Sequence, residues 1–295
     1  PTMAIAGAIF IGLSLLFCVA GTRDQIPLLH AVDHQPVKLL DNLGDLISLV
    51  TSRSYLAICV SWLVMAVSFG IWGIVGTYAY LYGFELSTEQ MSIQRLLMLP
   101  GMFLALPLAT WLGRKLDKKQ TVIFSNLFGA FFVGLPLTLK LFGFFPGNDS
   151  TWMLVVLFGC LFVGFLVYPV AAIIIDSQLA DITDEHELRT GRRAEGIVFS
   201  IRTFMLKATG GLGGLFGGMG LAYIGFPEKA TREMLTPEII DGLFFMCGPL
   251  YWILVAVGMG IMAMHNLNET RHGEIMNELK ERRAAQQGEL PSATA

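Results

Sequence analysis

Between residues 176 and 220 a mixed-charge segment, DSQLADITDEHELRTGRRAEG, runs into an apolar one, IVFSIRTFMLKATGGLGGLFGGMG. The apolar part carries Lys207. At about 1.5 Å per helical residue, it lies roughly 16 Å beyond Gly196. An ammonium group that deep in hydrocarbon is costly, and is expected to face a cavity or a carboxylate. The 3.6-residue period puts Ser200, Thr203, Lys207, Gly210 and Gly214 on one stripe. That chemistry suits a polar, cationic wall beside which a ligand or ion passes, the alternative being a lysine that only ties two helices together. Arg202 points elsewhere and sits shallower, so headgroup, interhelical and substrate contacts all compete as readings for it.

Upstream, Asp181, Asp184 and Glu187 recur every three residues, followed by Arg189, Arg192, Arg193 and Glu195. Acids and bases facing one another at the mouth of a cavity can form salt bridges as that side closes. The alternative is a solvated, charged loop. Asp176 ends a long apolar run and is expected to be partly buried. Gly210, Gly214 and Gly218 are four apart, as are Gly213 and Gly217, a spacing that lets helices pack closely.

Other chemistries lack their residues. Cys18, Cys59, Cys160 and Cys247 all lie in apolar runs without a CxxC pair, and read as small hydrophobes. His30, His34, His186, His265 and His272 show no ligand spacing, so no metal site is expected. No HExxH, GxSxG, GxGxxG or Walker loop is present, and no basic tract with interleaved aromatics. The expectation is neither an enzyme nor a nucleic-acid binder.

The elements that position these residues follow from composition. Only 15% of the 295 residues are charged and 54% are hydrophobic, against about a quarter charged in a soluble domain. Seven apolar stretches, near 3–20, 54–82, 92–113, 120–142, 151–175, 196–224 and 240–266, are long enough or nearly so to cross about 30 Å of hydrocarbon. Pro100 and Pro107 are expected to kink the third. Residues 36–50 carry leucines at three- and four-residue spacing, an amphipathic helix suited to the membrane surface. The tail from 269 offers a short surface helix. Loops on one side hold fourteen Lys and Arg against four on the other, which puts the C-terminus in the cytoplasm. The chain opens at Pro1 with a helix already under way, and reads as a fragment without its upstream helices.

The segment ADITDEHELRTGRRAEGIVFSIRTFMLKATG resembles a signature of the glycoside–pentoside–hexuronide:cation symporter family, the melibiose permease-like branch of the major facilitator superfamily. That pattern, close to A-D-x-x-D-x-x-E-x-x-T-G-x-R-x-E-G before a lysine-bearing helix, is met by Ala180, Asp181, Asp184, Glu187, Thr190, Gly191, Arg193, Glu195 and Gly196.

The resemblance implies an all-α membrane protein with a major facilitator-type bundle, its seven spans resembling helices VI to XII. Residues 1–20 would be the last helix of an N-terminal bundle, 21–53 a central cytoplasmic loop, 54–266 a C-terminal six-helix bundle and 267–295 a cytoplasmic tail. It implies cation-coupled symport of a sugar or glycoside by alternating access, in a prokaryotic inner membrane. Asp181, Asp184 and Arg193 would form a cytoplasmic gate with Asp176 and Glu195, and Lys207 and Thr203 would face the substrate and cation cavity with Ser200 and Arg202. The coupling cation would be H+, Na+ or Li+, with no covalent cofactor. The expected partners are a small sugar, membrane lipid and the N-terminal helices. Ala172 stands where melibiose-type members place an aromatic platform, and Arg202 where they have an uncharged polar residue, so the substrate could be an anionic glycoside or uronide. The rival readings are a same-fold transporter of lipids or other amphiphiles and a non-transporting sensor or scaffold.

Overall fold

The computed structural model describes residues 2–23, 44, 46–49, 51–192, 194–264 and 269–288, and every regular element among them is helical. In hydrocarbon each backbone N–H and C=O needs a protein partner, and a helix supplies it within one segment. Helix α1 (Thr2–Thr22) belongs to a unit of its own, residues 1–41. It is apolar all round, and Ser14 and Thr22 turn their hydroxyls back to donate to the Phe10 and Cys18 carbonyls at 2.8 Å.

The second unit, residues 42–295, holds the remaining helices. They are α2 (Arg53–Tyr78), α3 (Thr88–Leu96), α4 (Leu99–Gly113), α5 (Lys118–Leu141), α6 (Thr151–Thr190), α7 (Glu195–Tyr223), α8 (Pro237–Cys247), α9 (Pro249–Ala263) and α10 (Glu269–Gly288). A π-helical turn, Ala79–Gly83, extends α2. The expected third and seventh spans are each two helices. Pro100 lies in the first turn of α4, and Pro249 begins α9 after Gly248. Proline is tolerated there because a first-turn N–H has no partner within the helix. Pro107 lies inside α4.

Six helical stretches among the described residues are long and apolar enough to cross a membrane: Ala4–Thr22, Arg53–Gly83, Thr88–Gly113, Lys118–Leu141, Thr151–Thr190 and Pro237–Ala263. The chain is therefore that of an integral membrane protein. The other expected span is present as α7, 29 residues long. Its length suffices, but Arg202, Lys207 and the glycine ladder dilute its apolarity.

The charged segment from Asp176, for which a solvated loop is the alternative reading, is helix as far as Thr190. Helix α6 runs for 40 residues, about 60 Å, twice the hydrocarbon thickness. No glycine or proline interrupts it after Pro169 until Gly191, whose φ of 72° closes it in the left-handed conformation. Leu179, Ile182 and His186 recur on one buried face, so the extension packs against protein after the apolar run ends.

Within this unit α2 lies between α7 and α9, α9 packs on α5, α5 on α6 and α6 on α4. Glycine permits the closest approach: the backbones of Gly70 in α2 and Gly213 in α7 touch, and a Cβ on either would enter the other. Ser61 donates to the Gly258 carbonyl at 2.7 Å and Trp252 to that of Ala130 at 2.9 Å, tying α2 to α9 and α9 to α5. The tail helix α10 docks on α6 by burying Ile275 and Leu279, while Arg282 donates to the Leu188 carbonyl at 2.8 Å. Of the expected amphipathic helix at 36–50, residues 44 and 46–49 are helical and Leu49 is fully buried. Its remainder, like most of the 21–53 linker, lies outside the described residues.

Candidate functional site

Helices α2, α6 and α7 enclose a cavity of about 360 Å³. Helix α2 contributes Tyr55, Cys59, Trp62 and Phe69, α6 contributes Tyr168 and Ala172, and α7 contributes Arg202 and Thr209, with aliphatic side chains between them. Phe69 and Tyr168 meet edge to face at 4.6 Å between ring centroids. Aromatic surface therefore reaches the cavity beside Ala172, supplied by α2 and by Tyr168 one turn earlier on α6. Tyr55, Trp62 and Phe69 are seven apart and so share one face of α2, but no spacing rule joins them to residue 168.

Among the described residues Arg202 is the only charged one in this lining. It is ion-paired to Asp176: Nε faces Oδ1, and Nη2 donates to Oδ2 at 2.8 Å. A residue read as part of the gate and one read as part of the cavity are thus joined across α6 and α7. The Asp176 side chain is half-exposed, and Asp176 does not line the cavity.

Ser200, Thr203 and Lys207 do not line this cavity. They are exposed on the side of α7 turned away from Gly213 and Gly217. Ser200 and Thr203 donate to carbonyls of their own helix, those of Ile197 and Phe199. Lys207 makes no hydrogen bond or ion pair with a described residue. Gly210, Gly214 and Gly218 are exposed on the same side, with no described residue within 4 Å of where a Cβ would stand. The close packing of α7 is made instead by Gly213 against Gly70 and by Gly217 against Ile74.

The charged end of α6 is organised by two residues that the sequence did not single out. Lys118, opening α5, donates to both carboxylate oxygens of Asp181 at 2.7 and 2.8 Å. His272 of α10 lies 3.2 Å from Asp184 and 3.5 Å from Asp181. Asp181 is buried, its side chain 12% exposed, and a charge so placed needs its partner. Lys118 counted in the sequence only toward loop charge, and His272 had no recognisable spacing. Arg189 donates to the Ser48 carbonyl and hydroxyl at 2.7 and 2.9 Å. Glu195 opens α7, where a negative charge favours the helix N-terminus. Arg193 lies outside the described residues.

At the opposite end Asn148 joins two connections, donating to Glu85 at 2.7 Å and to the Gly83 carbonyl at 3.2 Å, while Lys140 donates to Asn148 at 2.7 Å. Arg232 pairs with Glu85 from the connection between α7 and α8. Hydrogen bonding from Arg232 holds the Glu85 carboxyl below its ordinary pKa.

Against known proteins, a profile of the family described as MFS/sugar transport protein matches residues 1–269. A provisionally named glycoside/cation symporter of Escherichia coli (strain K12) is 31% identical over 115 residues, 39% of this chain and 24% of that protein. A provisionally named sulfoquinovose importer of the same strain is 28% identical over 172 residues, 50% of this chain and 35% of that protein. A lactose permease of Lactobacillus delbrueckii subsp. bulgaricus is 25% identical over 118 residues, 39% and 19% of the two chains. The matches thus span about a fifth to a third of these relatives' own length.

Proposed function

The chain belongs to the MFS/sugar transport protein family, and on that premise we propose that it works in a secondary active transporter that carries a sugar or glycoside together with a cation by alternating access. Family membership carries this reading, and relatives named for glycoside/cation symport, sulfoquinovose import and lactose transport support it. The aromatic cavity between α2, α6 and α7 suits a sugar ring, whose C–H faces stack on aromatic side chains.

In this reading Ser200, Thr203 and Lys207 face a central cavity completed by helices of the other half of the transporter. A polar stripe on a membrane helix is stable facing water or protein rather than lipid. The glycines of that side keep it open for a ligand or for a sliding partner helix. Asp176, Asp181, Asp184, Arg193 and Glu195 act at the cytoplasmic gate, with Lys118 and His272 as the bases that hold Asp181 and Asp184. The basic end of the bundle then faces the cytoplasm of a prokaryotic inner membrane. The coupling ion is H+, Na+ or Li+. The driving force is a population shift between inward- and outward-open states, set by differential binding of ion and sugar to each.

The test is uptake by the full-length protein in proteoliposomes, with labelled glycosides and an imposed H+, Na+ or Li+ gradient. Accumulation under one gradient and not in its absence is expected. Equilibration without accumulation under all three gradients would remove cation coupling. Retention of accumulation in Lys207→Ala would remove Lys207 from the pathway.

A further inference from the structure

We propose that the tail helix α10 is a pH-sensitive clamp on the charged end of α6, with His272 as its sensor, and that it docks more firmly as that side of the membrane acidifies. The effect of the clamp on transport rests on the gate reading above; its docking does not. His272 Nε2 lies 3.2 Å from Asp184 Oδ2 and 3.5 Å from Asp181 Oδ1. Both neighbours are carboxylates, which accept and do not donate while ionised, so Nε2 carries a hydrogen. A second proton, on Nδ1, makes the ring a cation facing two anions. The His272 side chain is 24% exposed, so it exchanges protons with water. Asp181 and Asp184 are buried more deeply beside it, where a charge contact is screened less than on an open surface. Histidine changes charge within about pH 5 to 8. Docking that sets an imidazolium between two carboxylates favours the protonated ring, so by linkage it weakens as pH rises through that range.

The other charges around the ring leave this balance to His272. From α5, Lys118 already takes both oxygens of Asp181. Asp184 has His272 as its partner among the described residues, so Asp184 is the acid that depends on the state of the ring. Glu185 of α6 has its charge contacts with Arg189 and Arg271, and Arg271 also pairs with Glu274 of its own helix at 2.8 Å. His186, the other described histidine, lies on the opposite face of α6 with Leu179 and Ile182. Apart from these charges, α10 is seated by the buried Ile275 and Leu279, by the partly buried Met276, and by Arg282 on the Leu188 carbonyl. So small an apolar seat for a 20-residue helix leaves docking sensitive to one charge, the arrangement that histidine-based pH switches use. Asp181 and Asp184 are the acids assigned above to the gate, so a tail held on them hinders opening of that side. Acidification of the cytoplasm then slows uptake, and a return to higher pH frees it.

The test is hydrogen exchange of the 269–288 amides in the full-length protein in nanodiscs, at about pH 6 and about pH 8, corrected for the intrinsic dependence of exchange on pH. Protection should fall about tenfold from the lower pH to the higher, the difference between a charged and a neutral hydrogen bond. His272→Gln keeps a neutral N–H donor, and should hold protection at the unmutated protein's high-pH level in both conditions. His272→Arg should hold it at the low-pH level in both. Asp184→Asn should shrink the pH effect with His272 intact, which keeps the assignment testable should the His272 variants fail to fold. Equal protection at the two pH values in the unmutated protein, or an undiminished pH effect in His272→Gln, would overturn the sensor. Counterflow of a labelled glycoside into proteoliposomes, with the same pH on both sides, reads the clamp. The ratio of the high-pH to the low-pH rate should be severalfold larger in the unmutated protein than in His272→Gln. Equal ratios would remove the clamp from the transport cycle. No counterflow at all, with pH-sensitive docking present, would remove the transport reading and leave the sensor standing.

Discussion

Helix α7 has two faces built from the same small residue at the same spacing, and they do opposite things. On one, Gly213 and Gly217 close on Gly70 and Ile74, so that the backbones of α2 and α7 touch. On the other, Gly210, Gly214 and Gly218 meet none of the described residues, beside an exposed Lys207. Small-residue spacing permits close approach, but which stripe is used depends on where the neighbouring helix lies. A glycine ladder is therefore evidence of space, and the space can be filled by a helix or left for something that moves.

The sharpest way to break this comparison is to fill the packed face. Gly213→Leu should be the most damaging change. Overpacking costs about 1–3 kcal/mol, and here the new side chain would meet backbone that cannot repack, so the folded protein should be largely lost on gel filtration in mild detergent. Next comes the open face: Lys207→Ala should lower coupled uptake about tenfold or more, equivalent to about 1.4 kcal/mol, with an unchanged thermal midpoint. A lowered midpoint would mean that Lys207 holds the bundle together.

A third region, the charged end of α6, is held by α5 and α10. Lys118→Ala strips the buried Asp181 of its bidentate partner, and should cost about 3 kcal/mol, the low end for breaking a buried pair. Thermal unfolding of the purified protein measures it, and a loss well below 1 kcal/mol would mean that water already carries the aspartate. Asp184→Asn should change thiol accessibility between inward- and outward-open states, and wild-type accessibility would count against a gate.

Smaller still is the effect at the opposite end. The Glu85 carboxyl is held below its ordinary value by Arg232, so its contribution is complete above the unfolded pKa of about 4.3 and is lost as pH falls through the lowered folded value. Glu85 and Arg232 are substantially exposed, and screening keeps the gain small. Hydrogen exchange around residues 84–88 should quicken only below about pH 4.3. Glu85 adopts a left-handed φ of 56°, so release of its partners should show first at this turn. Least of all, Gly214→Ala should leave stability unchanged, since its Cβ would enter open space. Should uptake nevertheless fall, the open face is one that another helix approaches during the cycle.

Much of the fold was legible because the bilayer leaves few options. Long apolar stretches must be helical, their lengths follow from the thickness crossed, and six stretches long and apolar enough to cross stand where runs of low charge predicted them. The signature from Ala180 to Gly196, followed by Lys207, indicated a family that the match over 1–269 supports. The charged stretch after Asp176 looks like a loop only where charge is equated with the end of a helix, and it is helix to Thr190. With no glycine or proline before Gly191 and with Leu179, Ile182 and His186 on one face, nothing local ended the helix.

Composition and periodicity, acting through the need to satisfy every backbone group in hydrocarbon, determined that this chain is a set of membrane helices, and put Lys207 on a stripe apart from Arg202. Only the tertiary structure decided which residues meet. It set Lys118 and His272 on the acids of α6, paired Arg202 with Asp176, and gathered Trp62, Phe69 and Tyr168 around one cavity. The reason is that contacts between helices far apart in sequence depend on the angle and depth at which they cross, and those are fixed by packing at distant points such as Gly70 against Gly213.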